Sequence, residues 1–185
     1  MRVRRKLATL KAARILRRGG LIGHMTGTVA GVAASPCHPQ APLRLQRFKQ
    51  RRGPFLLLAD SPRRALALAS HMPPMLRRLA RTWWPGPVTL VYPALPGLPG
   101  CCYQQGAIAV RVDADPETRR LAGLCGGLLL SSSLNRRSGR TEVPGRQLHL
   151  RWHRHLSGCL SGGRSAGKAS KIMLVHGEEI RPIRA

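Results

Sequence analysis

The stretch Trp83-Trp84-Pro85-Gly86-Pro87-Val88-Thr89-Leu90, WWPGPVTL, decides how the rest of the chain is read. Two prolines around a glycine cannot continue a helix, so the helical pattern from about Pro74 must stop at Trp83. The Val-Thr-Leu-Val-Tyr run that follows is apolar and β-branched, the composition of a strand. The stretch is therefore a stiff corner from a helix into a core strand, and the two tryptophans read as packing anchors.

The same punctuation continues outward on both sides. Upstream, Leu7, Leu10, Ala13 and Leu16 recur at helical spacing and Gly19-Gly20 stops that helix. Leu21-Ile22-Gly23-His24 predicts a short buried strand, Leu43 to Arg51 a helix, and Phe55 to Ala59 a strand. Asp60-Ser61-Pro62 is a helix start, with a capping side chain before a first-turn proline. Downstream, Ala107 to Val112 is a strand and Asp115-Pro116-Glu117 opens another helix. Leu128 to Ser131 is a strand running into a polar loop. The Gly- and Ser-rich segment Ser157 to Lys171 predicts a mobile surface loop before the last strands, Ile172 to Val175 and Ile180 to Ile183. Alternating helices and strands without an internal repeat imply an α/β sheet with helical cover, as one domain over residues 1–185.

Composition excludes several classes. With 43% hydrophobic residues in 185, the chain can build a sizeable core and is not a disordered basic tail. No apolar run is long enough for a membrane span, and the basic start leads into an amphipathic segment. Neither membrane nor signal peptide is expected, which implies a cytoplasmic protein. Five cysteines, odd in number and without a C-x-x-C pair, suggest neither a disulfide framework nor a zinc knuckle. Lys and Arg number 32 against 7 Asp and Glu, a net charge of +25. A domain this basic repels itself unless polyanions are near, so a phosphate-bearing partner is expected. A general preference for arginine would give the same excess, so charge by itself does not name the partner.

Candidate chemistry is sparse. Asp113, Asp115 and Glu117 cluster where a helix start needs capping and dipole complementarity, and all three are read that way. His149, His153 and His155 flank Trp152 without acidic or thiolate neighbours, so no metal site is expected. Phosphate-loop and nucleophile-elbow motifs do not occur. What remains are polar clusters at predicted strand and helix ends, where open α/β sheets bind ligands: Lys49-Gln50-Arg51-Arg52, Arg111, and Ser131 to Asn135. Each taken singly also has an ordinary reading as dipole or turn chemistry.

Taken in order, GGLIGHMTGTVAG (19–31), RFKQRRGPFLLLA (47–59), WWPGPVTLVYPA (83–94), AIAVRVDADP (107–116) and LLLSSSLNRRSG (128–139) resemble the YrdC/TsaC family of threonylcarbamoyl-AMP synthases. The resemblance covers nearly the whole chain. It implies a YrdC-like twisted mixed sheet with helical cover and a basic concave cavity. It also implies a reaction joining L-threonine, bicarbonate and ATP, with Mg2+, into threonylcarbamoyl-adenylate and pyrophosphate. A downstream complex then transfers the group to tRNA.

By the same resemblance, Lys49 and Arg51 (K-x-R) and Ser133 and Asn135 (S-x-N) hold the ATP phosphates and the adenylate. Lys49 and Arg51 carry the catalytic charge. Thr26 lines the amino-acid pocket, and Arg111 faces that cavity and both ligands. Ser170, in Ala169-Ser170-x-Ile172, belongs with Gly162-Gly163-Arg164 to a closing segment.

There are departures. His24-Met25-Thr26-Gly27 stands where the family has Tyr-Pro-Thr-Asp/Glu, Ala30 replaces an aromatic, and one residue is inserted between Asn135 and Ser138-Gly139. These changes predict weaker amino-acid than nucleotide recognition. They also keep open a second class, a weakly or non-catalytic relative that binds tRNA or rRNA through its basic surface. A glycine at a strand end is free to take φ > 0, which would disfavour a side chain at position 27.

Overall fold

The computed structural model describes residues 2–135, 141–160 and 165–184, with side chains described from residue 8 onward. Along the chain run α1 (Arg2–Arg17), β1 (Ile22–His24), β2 (Gly31–Ala34), α2 (Ala41–Lys49), β3 (Leu56–Ala59), α3 (Pro62–Leu66), α4 (Pro74–Trp83) and β4 (Val88–Pro93). They continue with β5 (Tyr103–Gln104), β6 (Ala107–Val112), α5 (Pro116–Leu124), β7 (Leu128–Ser133), α6 (Arg146–Arg151), β8 (Gly158–Leu160), β9 (Lys171–His176) and β10 (Glu179–Arg184). The strands form one mixed sheet in the order β10-β9-β4-β6-β3-β7-β2-β1-β8, with β5 added beside β6. Pairs β3/β6, β4/β9 and β1/β8 are parallel.

Strand periodicity divides the side chains between two faces. Val32, Leu57, Leu90, Tyr92, Val110 and Leu130 enter one apolar cluster, shared with Phe48 of α2, Leu76 of α4 and Trp84. Their neighbours Ala33, Leu58 and Leu129 enter a second cluster on the opposite face, against Ala12, Ala13 and Leu16 of α1 and Leu121 and Ala122 of α5. These two helices cover only part of that face. Further along it, the residues in step with Leu58 and Leu129 are small or polar: Thr89, Ala107, Ala109, Ser131 and Ser133, all lining a concavity.

The WWPGP corner fixes where that concavity begins. Trp84 is buried, and its indole Nε1 donates to the Val88 carbonyl at 2.8 Å, closing the turn with its own side chain. Gly86 N donates to Val112 O at 2.9 Å, and a Cβ on Gly86 would lie 2.3 Å from the Trp83 carbonyl, so only glycine fits. Val88, Leu90 and Tyr92 then face the core, while Thr89 and Val91 face the cavity.

Three expectations change. The segment read as a surface loop contains β8, whose Gly158-Cys159-Leu160 pairs in parallel with β1; Gly162-Gly163-Arg164 and the Ser138-Gly139 insertion lie outside the described residues. Strands β2 and β5 and helix α6 had no distinct signal. The acidic cluster also divides. Asp115 caps α5 by accepting from Thr118 N at 3.0 Å, and Glu117 sits in the first turn and accepts from Thr9 Oγ1 at 2.8 Å. Asp113 caps no helix.

Candidate active site

The concavity encloses about 310 Å³ and is bounded by β2, β3, β4, β6 and β7, by Ala169 and Ser170, and by the end of β10. Among the described residues lining it are Arg51, Arg111 and Arg184, and no Asp or Glu. A wider, more open groove of about 810 Å³ lies outside, with Arg52, Pro42 and Cys101 among its lining residues. The predicted site residues converge on the smaller cavity, so it is the candidate site despite its size.

At one end stand the K-x-R and S-x-N residues. Helix α2 ends at Lys49, and Gln50 adopts a left-handed conformation (φ 52°) that sends the chain away from the helix axis. That kink separates the two cations. Lys49 is 5% exposed and turns inward, where Nζ donates to Ser133 O at 2.8 Å and to Asn135 O and Oδ1, each at 2.5 Å. Ser133 Oγ also donates to Asn135 Oδ1 at 2.8 Å. Lys49 and Asn135 therefore brace the turn after β7 and do not line the cavity. Arg51 does line it. Its guanidinium lies 4.6 Å from the Phe55 ring centroid, donates to Pro54 O at 3.0 Å and reaches Ser132 Oγ at 3.4 Å. Burial, and then the neighbouring Arg51 charge, lowers the Lys49 pKa to about 8. Burial also lowers that of Arg51 from its ordinary value.

The other end is organised by Arg111 on β6. Its Nη1 donates to Thr28 Oγ1 at 2.7 Å, and its Nη2 reaches Thr26 Oγ1 at 3.3 Å and Asp113 Oδ2 at 2.7 Å. Thr26 Oγ1 in turn donates to Val29 O at 2.6 Å. Burial lowers the Arg111 pKa and the Asp113 charge opposes that shift. His24, behind this end, is fully buried and held neutral by desolvation, its pKa lowered to about 4. Ser170 lies 3.0 Å from Thr89 across their hydroxyls, and its carbonyl accepts from Arg184 Nε and Nη2 at 3.0 and 2.9 Å. Ser165 Oγ donates to Thr28 O, and Ala166 N donates to Gly27 O at 3.1 Å, bringing the segment before Ser170 over the Thr26 loop.

Thus Thr26, Arg51, Arg111, Ser133 and Ser170 line one cavity, while Lys49 and Asn135 support its wall. Sequence reasoning missed Thr28, Thr89, Asp113 and Arg184. Thr89 lay inside the stretch that sets the fold. Arg184 lay in a strand whose register shifts between Pro182 and Arg184, a bulge that no local pattern announces.

The Sua5/YciO/YrdC family model, described as telomere recombination, matches residues 14–185. The chain belongs to this family. It is 34% identical over 155 residues to the threonylcarbamoyl-AMP synthase of Methylococcus capsulatus, covering 75% of this chain and 81% of that one. It is 32% identical over 179 residues to the threonylcarbamoyl-AMP synthase of Pseudomonas paraeruginosa, covering 92% and 95%. Among solved structures it is similar to P. abyssi Sua5 complexed with L-threonine, with TM-score 0.86 and 23% identity. That likeness carries the fold. It covers 95% of this chain and 53% of the other, so the chain spans about half the length of that Sua5 protein. The mixed twisted sheet is that of a Sua5/YciO/YrdC domain.

Proposed function

We propose that this chain is a threonylcarbamoyl-AMP synthase, a nucleotidyltransferase that makes threonylcarbamoyl-adenylate and pyrophosphate from L-threonine, bicarbonate and ATP. The observation that carries the reading is the cavity whose described lining residues include Arg51, Arg111 and Arg184 and no Asp or Glu. In this reading residues 1–185 form a single YrdC-like domain working in the cytoplasm. Among the described residues no helix is long and apolar enough to cross a membrane.

The chemistry follows from charge. Bicarbonate and the threonine amine give a carbamate and water; a carbamate oxygen then attacks the ATP α-phosphorus, and the bond to pyrophosphate breaks. Two anions must be held together while charge builds on phosphate oxygens, which requires fixed cationic donors in a site with little water. Arg51 presents planar donors to the phosphates, with Ser133 beside it on the wall that Lys49 and Asn135 hold. Thr26, Arg111 and Ser170 line the amino-acid end. The described residues contain no cluster of His, Cys, Asp and Glu suited to a metal ion, so Mg2+ enters this proposal with the nucleotide, as MgATP. The product passes to a tRNA-modifying complex.

The net charge of +25 supports RNA attraction as a companion property. Arg77, Arg78 and Arg81 lie together on the exposed side of α4, outside the cavity. Pyrophosphate release with ATP, bicarbonate and L-threonine, each omitted in turn, tests the main reading. Release that needs all three is expected. Release indifferent to threonine, or none, overturns it.

A further inference from the structure

One carboxylate to which the resemblance assigns no role is built into the frame of the cavity. Asp113 is fully buried just past the end of β6, and both its oxygens are engaged. Oδ2 accepts from Arg111 Nη2 at 2.7 Å; Oδ1 accepts from Gly27 N at 2.7 Å and from Asp115 N at 2.9 Å. The same side chain therefore ties down the Thr26 loop through its backbone and sets the guanidinium that reaches Thr26 and Thr28. Arg111 Nε–H is buried without a partner among the described residues. A guanidinium fixed on one side, with a buried donor left unpartnered beside a cavity it lines, is set to take an oxygen of an anionic substrate.

Gly27 is the other half of the arrangement. Its φ is not in the left-handed region, so its backbone accepts a side chain. Space is tight instead: a Cβ on Gly27 would lie 3.0 Å from Asp113 Oδ1 and 3.3 Å from Ala114 Cβ, so a side chain there requires Asp113 or Ala114 to give way slightly. Positions 27 and 113 thus compete for one place beside Arg111. The glycine that departs from the family pattern and the aspartate that lies across from it are a matched pair.

From this geometry we propose that Asp113 is the positioning residue of the amino-acid end, supplying from just past β6 the carboxylate that orients Arg111 toward L-threonine and crowding any side chain at position 27. The proposal rests on reading the cavity as the L-threonine site. Asn in place of Asp113 keeps the shape but not the orientation. With Oδ1 still accepting two backbone N–H groups, the amide nitrogen falls where Oδ2 was and meets the Arg111 Nη2 donor head-on.

Steady-state pyrophosphate release on the full chain tests this, with ATP and L-threonine varied separately. Asp113→Asn is expected to raise KM for L-threonine by roughly tenfold and to leave KM for ATP within about twofold, with an unchanged circular dichroism spectrum. Equal KM values, or equal rises in both, overturn the proposal. Two further variants guard against a folding defect. Gly27→Glu is expected to lower Tm and raise KM for L-threonine, whereas Gly27→Glu with Asp113→Ala regains both, because the carboxylate then approaches Arg111 from position 27 without a clash. A double variant no better than the weaker single variant overturns the pairing. Wild-type protein without threonine-dependent release refutes the functional reading instead. The melting temperatures, which need no substrate, then decide the pairing: additive losses overturn it and recovery supports it.

Discussion

The two ends of the cavity hold their cations by different means. At the K-x-R end, Lys49 is held by neutral oxygens, two backbone carbonyls and the Asn135 side chain, and Arg51 rests on a carbonyl and the Phe55 ring. Their charge is left largely uncompensated. At the other end, Arg111 is paired with the buried carboxylate of Asp113. A cation held only by neutral acceptors and a ring face keeps its full field for a polyanion such as triphosphate; one tied to a carboxylate keeps its direction while losing net charge. The first arrangement suits holding phosphates, and the second suits orienting a small zwitterion.

Loss of Arg51 should disturb this contrast most severely. Arg51→Ala is expected to lower kcat by on the order of a hundredfold with the fold intact, as for a donor acting mainly on developing phosphate charge. Arg52 is the control. It lines the outer groove, and its carbonyl accepts from Gln46 Nε2 at 2.7 Å. Arg52→Ala should stay within about twofold of wild type. Comparable losses in both variants would mean that local positive charge, and not the cavity, matters.

A smaller effect separates the two ends through pH. Lys49 holds the S-x-N turn as an ammonium, and its pKa is lowered to about 8 by burial and then by Arg51. Above that pH it deprotonates, so kcat/KM should fall roughly tenfold by pH 9. The stability linkage has the opposite sign. The folded pKa lies below the ordinary 10.5, so the unfolded chain binds this proton more tightly, and the contribution to stability rises with pH between about 8 and 10.5. Falling activity beside a steady or rising Tm is the expected pair, and Lys49→Arg should remove the activity limb. A Tm that falls in step with activity would assign the limb to unfolding.

The same contrast explains how far the sequence could be read. The K-x-R end is legible in short blocks, a helix end and a strand with its polar exit, although Lys49 meets Ser133 and Asn135 only across 84 and 86 residues. WWPGPVTL likewise shows its corner, and its alternation divides core from cavity. The amino-acid end is assembled from distant segments. Asp113 looked like one more helix-start acid, because the partners that set its role are Gly27, 86 residues away, and Arg111 on the strand that ends just before it. Gly27 looked like a weakened amino-acid pocket or a backbone requirement, whereas its φ is not left-handed and a Cβ there would crowd Asp113. Arg184 depends on a bulge, and β8 on a parallel pairing with β1; neither has a one-dimensional signature.

The division of labour between the ends is tested most directly by calorimetric titration of wild type, Arg51→Ala and Arg184→Ala with ATP and with L-threonine. Arg184 donates to the Ser170 carbonyl and reaches its hydroxyl at 3.3 Å, so its loss frees the wall that closes the amino-acid end. Arg184→Ala is predicted to weaken L-threonine binding by roughly tenfold while ATP binding stays within about twofold, and Arg51→Ala to do the reverse. If each variant weakens both ligands by the same factor, the cavity is one undivided anion site and its two ends do not share the substrates between them.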